Sequence, residues 1–392
     1  MIGMEWFPEC KDGGLDRYFY EEIQALSKLG MSGTVIVSSA ESISMAGFSV
    51  QALAQKGASM AKRWVGARRL ASHALQQGVE VVNSHFALYA FPWVRKIPVN
   101  VPLVVNFQGP WAEEIRTQTP GASGWIKAQA AKYIERSVYR RADRVITLSA
   151  AFADLVCRQY GVVRSRIHVI PGALDLTRYL AVPTRKEARR RLGLPEDRPI
   201  VLAVRRLAKR MGLDLLIAAM TEVKKLLPDV LLLIGGKGPE RQDLESRIAD
   251  RGLGDQVRLL GFVSEADLPL IYASANISIV PTLALEGFGL ITVESLAAGT
   301  PVMGTPVGAT PEILRPLNPD LIFASPTKEA MARGIYSALC GNICLPGREE
   351  CRAYANQYAW PVVVPKILAV FQEAIEERRP HGEKRVCIGG SP

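Results

Sequence analysis

Two glutamates lie eight residues apart in LEGFGLITVESLAAGTPVMGT, which spans residues 285 to 305. Glu286 is next to glycines 287 and 289, and Glu294 falls in a small-residue helical stretch. On one continuous helix, eight residues would separate the carboxylates by about 12 Å along the axis. Because the glycines place Glu286 in a loop, both carboxylates can line one pocket at the helix N-terminus. Carboxylates accept hydrogen bonds from vicinal hydroxyls, so the spacing predicts a site for a sugar or a ribose.

The residues around this pair are typical of a phosphate site. The apolar run ISIVPT predicts a strand that ends before Leu285, and Gly299 ends the following helix. In open α/β sheets, ligands bind beyond the carboxyl ends of strands, where a helix N-terminus offers free N–H groups and a positive dipole. Glycines at 287 and 289 let an anionic ligand approach the backbone. The alternative is a structural turn followed by a surface helix whose dipole favours a glutamate.

Two further segments follow predicted strands in the second half of the chain. Gly235, with Gly236 and Gly238, follows VLLLI and predicts a close approach of backbone and ligand, although such clusters are also common in structural turns. A basic cluster follows IVLAV and would hold a diphosphate by charge-assisted hydrogen bonds; the alternative is a solvated surface. The cluster comprises Arg205, Arg206, Lys209 and Arg210.

The first half offers four candidate residues. Gly13 and Gly14 open a helix whose N-terminus is suited to phosphate or sugar. His85, in VNSHF, and Gln108, in VNFQG, each follow a predicted strand. A single histidine is more often a hydrogen-bonded structural residue than a catalyst, and its place at a strand end is the reason to retain it. The sequence shows no Ser-His-Asp or Cys-His arrangement that would indicate a covalent nucleophile.

The chain has the length and composition of a folded protein with two domains: 392 residues, 48% hydrophobic and 22% charged. Short β-branched runs alternate with helical stretches, which predicts parallel sheets with crossover helices. We expect domains at 1–178 and 179–365, a C-terminal helix at 366–380 that packs toward the first domain, and a disordered tail at 381–392. The first domain opens at a glycine turn, so we expect that its first strand is missing or that the true start lies upstream.

The net charge of +10 indicates anionic partners. Residues 42 to 79 contain no acidic side chain and place several cations around Trp64, which favours contact with anionic lipid headgroups. The alternative is a solvated helix on the acceptor side of the site. Nucleic acid is disfavoured, because the basic residues are not interleaved with aromatic side chains. The cations are Lys56, Lys62, Arg63, Arg68 and Arg69.

The sequence shows neither a membrane-spanning run of roughly 20 apolar residues nor the pattern of a signal peptide. We therefore expect a cytoplasmic protein, with peripheral contact at the inner face of the membrane. Cys340, Cys344 and Cys351 cluster without a fourth ligand at zinc spacing. Since an Asp-x-Asp pair is also lacking, we expect neither a metal nor a cofactor.

Taken in order, these segments resemble the family 4 retaining glycosyltransferases of the GT-B fold. EGFGLITVE matches the E-x7-E motif of the family, and GGLDRY, VNSHFALY, VIPGALDLTRY, LAVRRLAKRMG and LLIGGKGPE follow the family's order. The match covers residues 11 to 376. It implies an α/β fold of GT-B architecture, in which two Rossmann-like doubly wound domains face each other across a cleft.

The resemblance also implies a reaction and a donor site. The enzyme would move a sugar from a nucleotide-diphosphate donor to a glycan or lipid-linked acceptor, in polysaccharide or glycolipid biosynthesis. The leaving diphosphate would deprotonate the acceptor on the same face, so that the anomeric configuration is retained. Glu286 would hold sugar hydroxyls, Glu294 the ribose hydroxyls, and Val263 would lie beside the nucleobase. Further donor contacts would come from Gly13, Gly14 and Arg206 and from the backbone of Gly287, Phe288, Gly289 and Leu290.

Two positions depart from the family pattern. Many members have a histidine where Gln108 stands, and glutamine can donate a hydrogen bond but cannot protonate a group. The lysine expected five residues after Arg206 is Met211, so Lys209 or Arg210 would have to supply this charge. The departures leave one alternative of the same fold, a catalytically impaired sugar-nucleotide-binding protein or partner subunit. A sugar-nucleotide epimerase of the GT-B fold matches the motifs less well.

Overall fold

The alternating apolar runs form parallel sheets flanked by helices, which confirms the predicted α/β class. The computed structural model describes residues 1–7, 9, 14–38, 43–45, 47–119 and 121–379. Gly13 and the tail predicted at 381–392 lie outside the described residues. The chain divides into two units: unit 1 comprises Met1–Ala173 and the chain from Trp360, and unit 2 comprises Leu174–Ala359.

Unit 1 is built on two rows of strands. Its strands are β1 Gly33–Val37, β2 Ile43–Met45, β3 Phe48–Ala52, β4 Val82–Ser84, β5 Leu103–Phe107, β6 Arg144–Thr147 and β7 Ile167–Val169. Its helices up to β7 are α1 Gly14–Lys28, α2 Met60–Gln76, α3 Ala87–Ala90, α4 Trp111–Gln118, α5 Ala122–Arg141 and α6 Ala150–Tyr160. The rows have the orders β1-β3-β2 and β4-β5-β6-β7, and every pair is parallel except β2 with β3.

The first residues of the chain join these two rows. Ile2 pairs in parallel with Ile36 of β1 and with Ser84 of β4. Its amide donates to Asn83 O at 2.9 Å, and Gly3 N donates to Ile36 O at 3.0 Å. The expectation of a missing first strand is therefore corrected, since a short extended segment lies in its place. The segment is too short to show the apolar run by which a buried strand is recognised in a sequence.

Unit 2 contains one fully parallel sheet. Its strands are β8 Ile200–Val204, β9 Leu231–Gly235, β10 Val257–Gly261, β11 Ile277–Val280 and β12 Val302–Gly304. Its helices are α7 Arg185–Arg191, α8 Leu213–Leu226, α9 Arg241–Asp250, α10 Leu268–Ser274, α11 Leu290–Ala297, α12 Thr310–Leu314, α13 Lys328–Leu339 and α14 Arg348–Ala355. The order β10-β9-β8-β11-β12 is doubly wound, and its direction reverses between β8 and β11. Ligands bind at such a reversal in open α/β sheets.

The borders between the units differ by a few residues from those expected. Leu174 N donates to Tyr358 O at 2.9 Å, which ties the two ends of unit 2 together. The final helix, α15 Trp360–Arg378, belongs to unit 1, where Trp360 Nε1 donates to Glu21 Oε2 at 2.8 Å. The borders expected at 178 and 365 are thus moved to 173 and 359. Pro171 and Pro361 lie within two residues of these borders, but the hydrogen-bonding partners that define each border lie far along the chain, so the sequence alone does not locate them.

Candidate functional site

Side chains from two strand ends meet where the sheet of unit 2 reverses direction. Arg205 follows β8, and Thr282 and Glu286 follow β11. Arg205 Nη2 lies 2.6 Å from Glu286 Oε2, and Thr282 Oγ1 donates to the same oxygen at 2.7 Å. In the part of the chain that the structure describes, no protein donor bonds the other oxygen, Oε1. The predicted glutamate is therefore held through Oε2, while no protein donor among the described residues bonds its Oε1.

The loop that carries Glu286 has an enforced conformation. Leu285 has a φ of 58°, and it is the one non-glycine residue with positive φ among the described residues. This region costs a side-chain-bearing residue roughly 1–2 kcal/mol. Behind the loop, Ala309 N donates to Glu286 O at 3.1 Å, and a Cβ at Gly308 would lie 2.2 Å from the same oxygen. Such strain persists where the surroundings impose it, and it is concentrated at functional sites.

The N-terminus of α11 opens beside this carboxylate. Gly289 is the N-cap, with a φ of 78°, and it has no side chain that could satisfy the first N–H groups. A Cβ at Gly289 would lie 3.3 Å from Glu286 Oε1 and 3.4 Å from Thr292 Oγ1. The Thr292 hydroxyl is buried and has no hydrogen-bond partner in the described part of the chain. A helix N-terminus, a carboxylate oxygen and an unsatisfied hydroxyl thus converge on the space above Gly289.

Glu294 lies on the second turn of α11 and is only 2% exposed. Its Oε2 accepts a hydrogen bond from the Tyr272 hydroxyl at 3.1 Å. Phe288, between the two glutamates, packs its ring against Tyr358 at a centroid distance of 5.5 Å. Its side chain therefore belongs to the interior, and only its backbone remains for the predicted ligand contact. The backbone of Gly287 and Leu290 lies in the same stretch.

The basic cluster after β8 does not act as one surface. Arg205 is 7% exposed and faces Glu286, whereas Arg206 and Lys209 are exposed. Arg210 Nη1 donates to Leu285 O at 3.1 Å, so it supports the loop. Met211 is buried, and its Sδ lies 2.7 Å from Arg205 Nη2. Sequence reasoning selected Arg206 and missed the inward role of Arg205, because neighbouring cations look alike in a sequence.

Gly235 and Val263 meet at the end of β9. A Cβ at Gly235 would lie 2.8 Å from Val263 Cγ2, so the valine packs directly on the glycine backbone. Val263 is half-buried, and the neighbouring Phe262 ring lies under Lys237 Nζ at 4.4 Å. The structure therefore brings together two of the predicted donor-binding residues.

In unit 1, His85 is the centre of a buried polar group. The His85 side chain is 2% exposed, and its Nε2 lies 3.2 Å from Glu22 Oε1 and 2.6 Å from Asn106 Nδ2. Its Nδ1 lies 3.2 Å from Gln108 Nε2. We assign the Nε2–H tautomer, in which Nε2–H donates to Glu22 Oε1 and Nδ1 accepts from the Gln108 amide; the Asn106 amide is then oriented with Oδ1, not Nδ2, toward Nε2. The buried His85 side chain thus contacts the Gln108 amide, and Gln108 itself is half-buried.

The segment after Gln108 is fixed by a carboxylate that the sequence did not reveal. Glu135 accepts from Trp111 N at 2.9 Å and Ala112 N at 3.2 Å, at the start of α4, and from the Tyr160 hydroxyl at 2.9 Å. Burial raises the pKa of Glu135 to about 7. All three donors lie more than 20 residues from Glu135 in the sequence, so no local sequence pattern identifies this carboxylate as the one that fixes the start of α4.

The predicted phosphate-facing start of α1 is described only in part. Gly14 is exposed and begins α1, while its neighbour Gly13 lies outside the described residues. Asp16 Oδ1 accepts from Glu5 N at 3.1 Å, and burial raises the pKa of Asp16 to about 6. The role of both glycines therefore stays a prediction.

The described residues show neither a cluster of metal ligands nor a helix that could span a membrane. They contain no group of three or more histidine, cysteine, aspartate or glutamate side chains placed to share a metal ion. The described helices are also too short or too polar to cross a bilayer.

The chain matches two family models along most of its length. Glycosyltransferase Family 4 matches residues 12–178, and glycosyl transferases group 1 matches residues 184–358. A 2-deoxystreptamine glucosyltransferase of Streptomyces kanamyceticus is 30% identical over 208 residues, which cover 53% of this chain and 54% of that protein. A D-inositol 3-phosphate glycosyltransferase of Acidothermus cellulolyticus is 31% identical over 267 residues, covering 64% and 58%. The chain thus spans little more than half the length of these curated relatives.

Solved structures show the same fold over nearly the whole chain. Sucrose-phosphate synthase from Thermosynechococcus elongatus superposes with a TM-score of 0.77 at 20% identity, covering 96% of both chains. Anabaena HepE, solved in complex with UDP-glucose, has a TM-score of 0.76 at 18% identity, covering 95% of this chain and 98% of that one. At this identity the comparison concerns the fold, and it confirms the predicted architecture of two Rossmann-like domains.

Proposed function

The chain belongs to the family 4 glycosyltransferases, and we propose that it is a retaining enzyme that moves a sugar from a nucleotide-diphosphate donor to a glycan or lipid-linked acceptor. The product would serve polysaccharide or glycolipid biosynthesis. The observation that carries this proposal is the anchored carboxylate of Glu286, with a free Oε1 at the reversal of the sheet and the N-terminus of α11 beside it. Binding of UDP-glucose by the structurally similar HepE supports a nucleotide sugar as donor.

The donor would be distributed along the carboxyl edge of unit 2. Glu286 Oε1 would accept from a sugar hydroxyl, close to Thr292, and Glu294 would accept from the ribose hydroxyls. The N–H groups at Gly287 to Leu290 and the positive end of α11 would face the phosphates. Val263, packed on Gly235, would lie beside the nucleobase. Arg206 would add charge for the diphosphate from its exposed position.

The proposed chemistry requires no covalent group from the protein. The bond from the anomeric carbon to the diphosphate oxygen breaks, the acceptor oxygen bonds to the same face, and the leaving diphosphate takes the acceptor proton. The protein would bind and orient the donor and stabilise charge as the diphosphate leaves. In unit 1, we propose that Gln108 contacts substrate while His85 and Glu22 hold its amide in place.

A panel of sugar nucleotides tests the proposal. We expect one donor to raise the melting temperature and to release its nucleotide slowly, measured by thermal shift and mass spectrometry, because ligands that bind only the native state stabilise it. Release should persist in a chelator, since we propose a metal-independent reaction. Loss of release in the chelator with recovery in manganese would contradict metal independence. If no sugar nucleotide raises the melting temperature or releases its nucleotide, donor binding is contradicted. That result would favour a protein of the same fold that has lost transferase activity.

A surface of unit 1 supports contact with an anionic membrane. Helix α2 exposes Val65 and Met60, 69% and 44% exposed, among its cations. Helix α5 exposes Trp125, Ile126 and Tyr133, between 58% and 62% exposed. The rings of Trp64, Phe91 and Tyr133 link the two helices at centroid distances of 5.7 and 5.9 Å. Large apolar side chains among lysines and arginines are typical of surfaces that lie on anionic lipid.

The membrane proposal predicts binding to vesicles of phosphatidylglycerol and phosphatidylcholine, with much less binding to phosphatidylcholine alone. Trp125→Ser with Ile126→Ser should weaken binding about tenfold or more, since each apolar side chain contributes ~1.5–3 kcal/mol when fully buried. Cosedimentation measures both effects. Reversal of exposed cations on unit 2, Lys225→Glu with Lys328→Glu, is the matched control. Equal binding by the α5 variant and the wild type would remove this surface from the proposal.

A further inference from the structure

Among the described residues, Arg205 is the one cation of the basic cluster that contacts Glu286, and the sequence predicted it only as a member of that cluster. It follows β8 at the reversal of the sheet, and its side chain is 5% exposed. Its Nη2 bonds Glu286 Oε2 at 2.6 Å and lies 2.7 Å from Met211 Sδ. We propose that Arg205 is a donor-binding residue whose guanidinium supplies the charge to the donor diphosphate that Met211 cannot supply. The inference rests on the proposed function and assigns a specific contact within it.

The hydrogen bonds leave part of this guanidinium available. Only Nη2 takes part in the contacts with Glu286 and Met211. Among the described residues, no acceptor bonds Nε or Nη1 of Arg205. A guanidinium has five N–H donors in a fixed plane, so one edge can hold a carboxylate while another binds a phosphate oxygen. The pair Arg205–Glu286 is electrically neutral, and the donor brings the additional negative charge.

The other cations of the cluster are placed differently. Arg206 and Lys209 are exposed, and Arg210 is half-buried and donates to Leu285 O. Lys209 and Arg210 were the residues expected to replace the lysine that is missing at position 211. In the described part of the chain, neither of them contacts Glu286, whose partners are Arg205 and Thr282. Met211 instead packs its sulfur against the Arg205 guanidinium. A positive charge is thus present beside position 211, but it belongs to Arg205, at the end of β8.

The contact between the Arg205 guanidinium and Met211 Sδ predicts how a lysine at position 211 would act. A lysine at 211 in the wild type would place a second cation against Arg205, and like charges in a buried site repel strongly. In a chain that lacks the Arg205 charge, the same lysine would fill the vacated position. Met211→Lys is therefore expected to weaken diphosphate binding in the wild type and to restore it in Arg205→Gln.

The test compares nucleoside diphosphates with monophosphates. UDP, GDP and ADP are titrated first by calorimetry, and the tightest of them is used with its monophosphate. Arg205→Gln should raise the Kd of the diphosphate about 10- to 100-fold, the range for a hydrogen bond to a charged group. The Kd of the monophosphate should change less than about threefold, and Arg205→Lys should be intermediate. Exposed Arg258→Gln is the matched control.

The outcomes separate this inference from the proposed function. If no nucleoside diphosphate binds the wild type, the proposed function fails first. If the wild type binds but Arg205→Gln weakens diphosphate and monophosphate equally, Arg205 only supports Glu286 and the inference is overturned. Failure of Met211→Lys to restore diphosphate selectivity in Arg205→Gln also contradicts it. If thermal melting shows that Arg205→Gln is unfolded, diphosphate binding is compared instead between Arg205→Lys and Arg205→Lys with Met211→Lys. Both variants keep a positive charge at position 205 that neutralises Glu286.

Discussion

Glu286→Gln is expected to lower the turnover number by about 100- to 1,000-fold, the range for losing one aligned stabilising group in an active site. The carboxylate has two distinct oxygens: Oε2 accepts from Arg205 and Thr282, and Oε1 is the oxygen that we propose accepts from the sugar. An amide has only one acceptor oxygen, so it cannot accept on both sides. If its NH2 group faces Arg205, two donors oppose each other in a buried place; if it faces outward, the sugar loses its acceptor.

Initial rates at saturating donor measure this effect, and melting temperatures show whether the variant is folded. Breaking a buried ion pair is often strongly destabilising, so Glu286→Asp serves as a second variant that keeps the charge at shorter reach. The matched control is Glu329→Gln, whose carboxylate is 58% exposed at the start of α13. Near wild-type turnover in folded Glu286→Gln would remove this residue from the site.

Glu294→Ala is expected to weaken binding of the donor nucleotide by about 100-fold, since a hydrogen bond to a charged group contributes roughly 1.5–3 kcal/mol. The Glu294 carboxylate is buried, and its Oε2 accepts a hydrogen bond from the Tyr272 hydroxyl at 3.1 Å. Titration with the ribonucleotide and its 2′,3′-dideoxy analogue measures the specific role. The wild type should distinguish these ligands strongly, and the variant should hardly distinguish them.

Tyr272→Phe is the control for Glu294, because it removes one hydrogen bond and keeps the carboxylate. We expect it to weaken nucleotide binding less than tenfold while leaving the preference for ribose intact. A Glu294→Ala variant that still prefers ribose to the dideoxy analogue would place the ribose contact elsewhere. Equal loss for both ligands would point to a general distortion of α11.

The architecture and much of unit 2 could be predicted from the sequence because they rest on patterns of neighbouring residues. Buried parallel strands such as LLLIG are continuous apolar runs, and Gly289 marks the start of α11. The two glutamates were identified by their spacing, by the glycines beside Glu286 and by the resemblance of EGFGLITVE to a family motif. These features are local, so the sequence displays them directly.

The missed features depend on partners that are distant in the chain. Arg205 and Arg206 are adjacent and chemically identical, and only the pairing of β8 with β11 decides which one faces Glu286. Glu135, in the second half of α5, accepts from the first N–H groups of α4, and Ile2 pairs with two strands from an isolated position. His85, a predicted catalytic residue at a strand end, is buried with contacts to Glu22 and Asn106, and its role stays a prediction.

The exposed face of α5 also carries a natural fluorescent probe, the indole of Trp125. Of the six tryptophans, Trp6, Trp93 and Trp360 are at most 6% exposed, and Trp64 and Trp111 are half-buried. Trp125, at 58% exposed, is the one indole that water surrounds. Collisional quenching and long-wavelength emission will therefore come mainly from α5. Intrinsic fluorescence can follow that face without an added label, while the buried indoles report on the interior of unit 1.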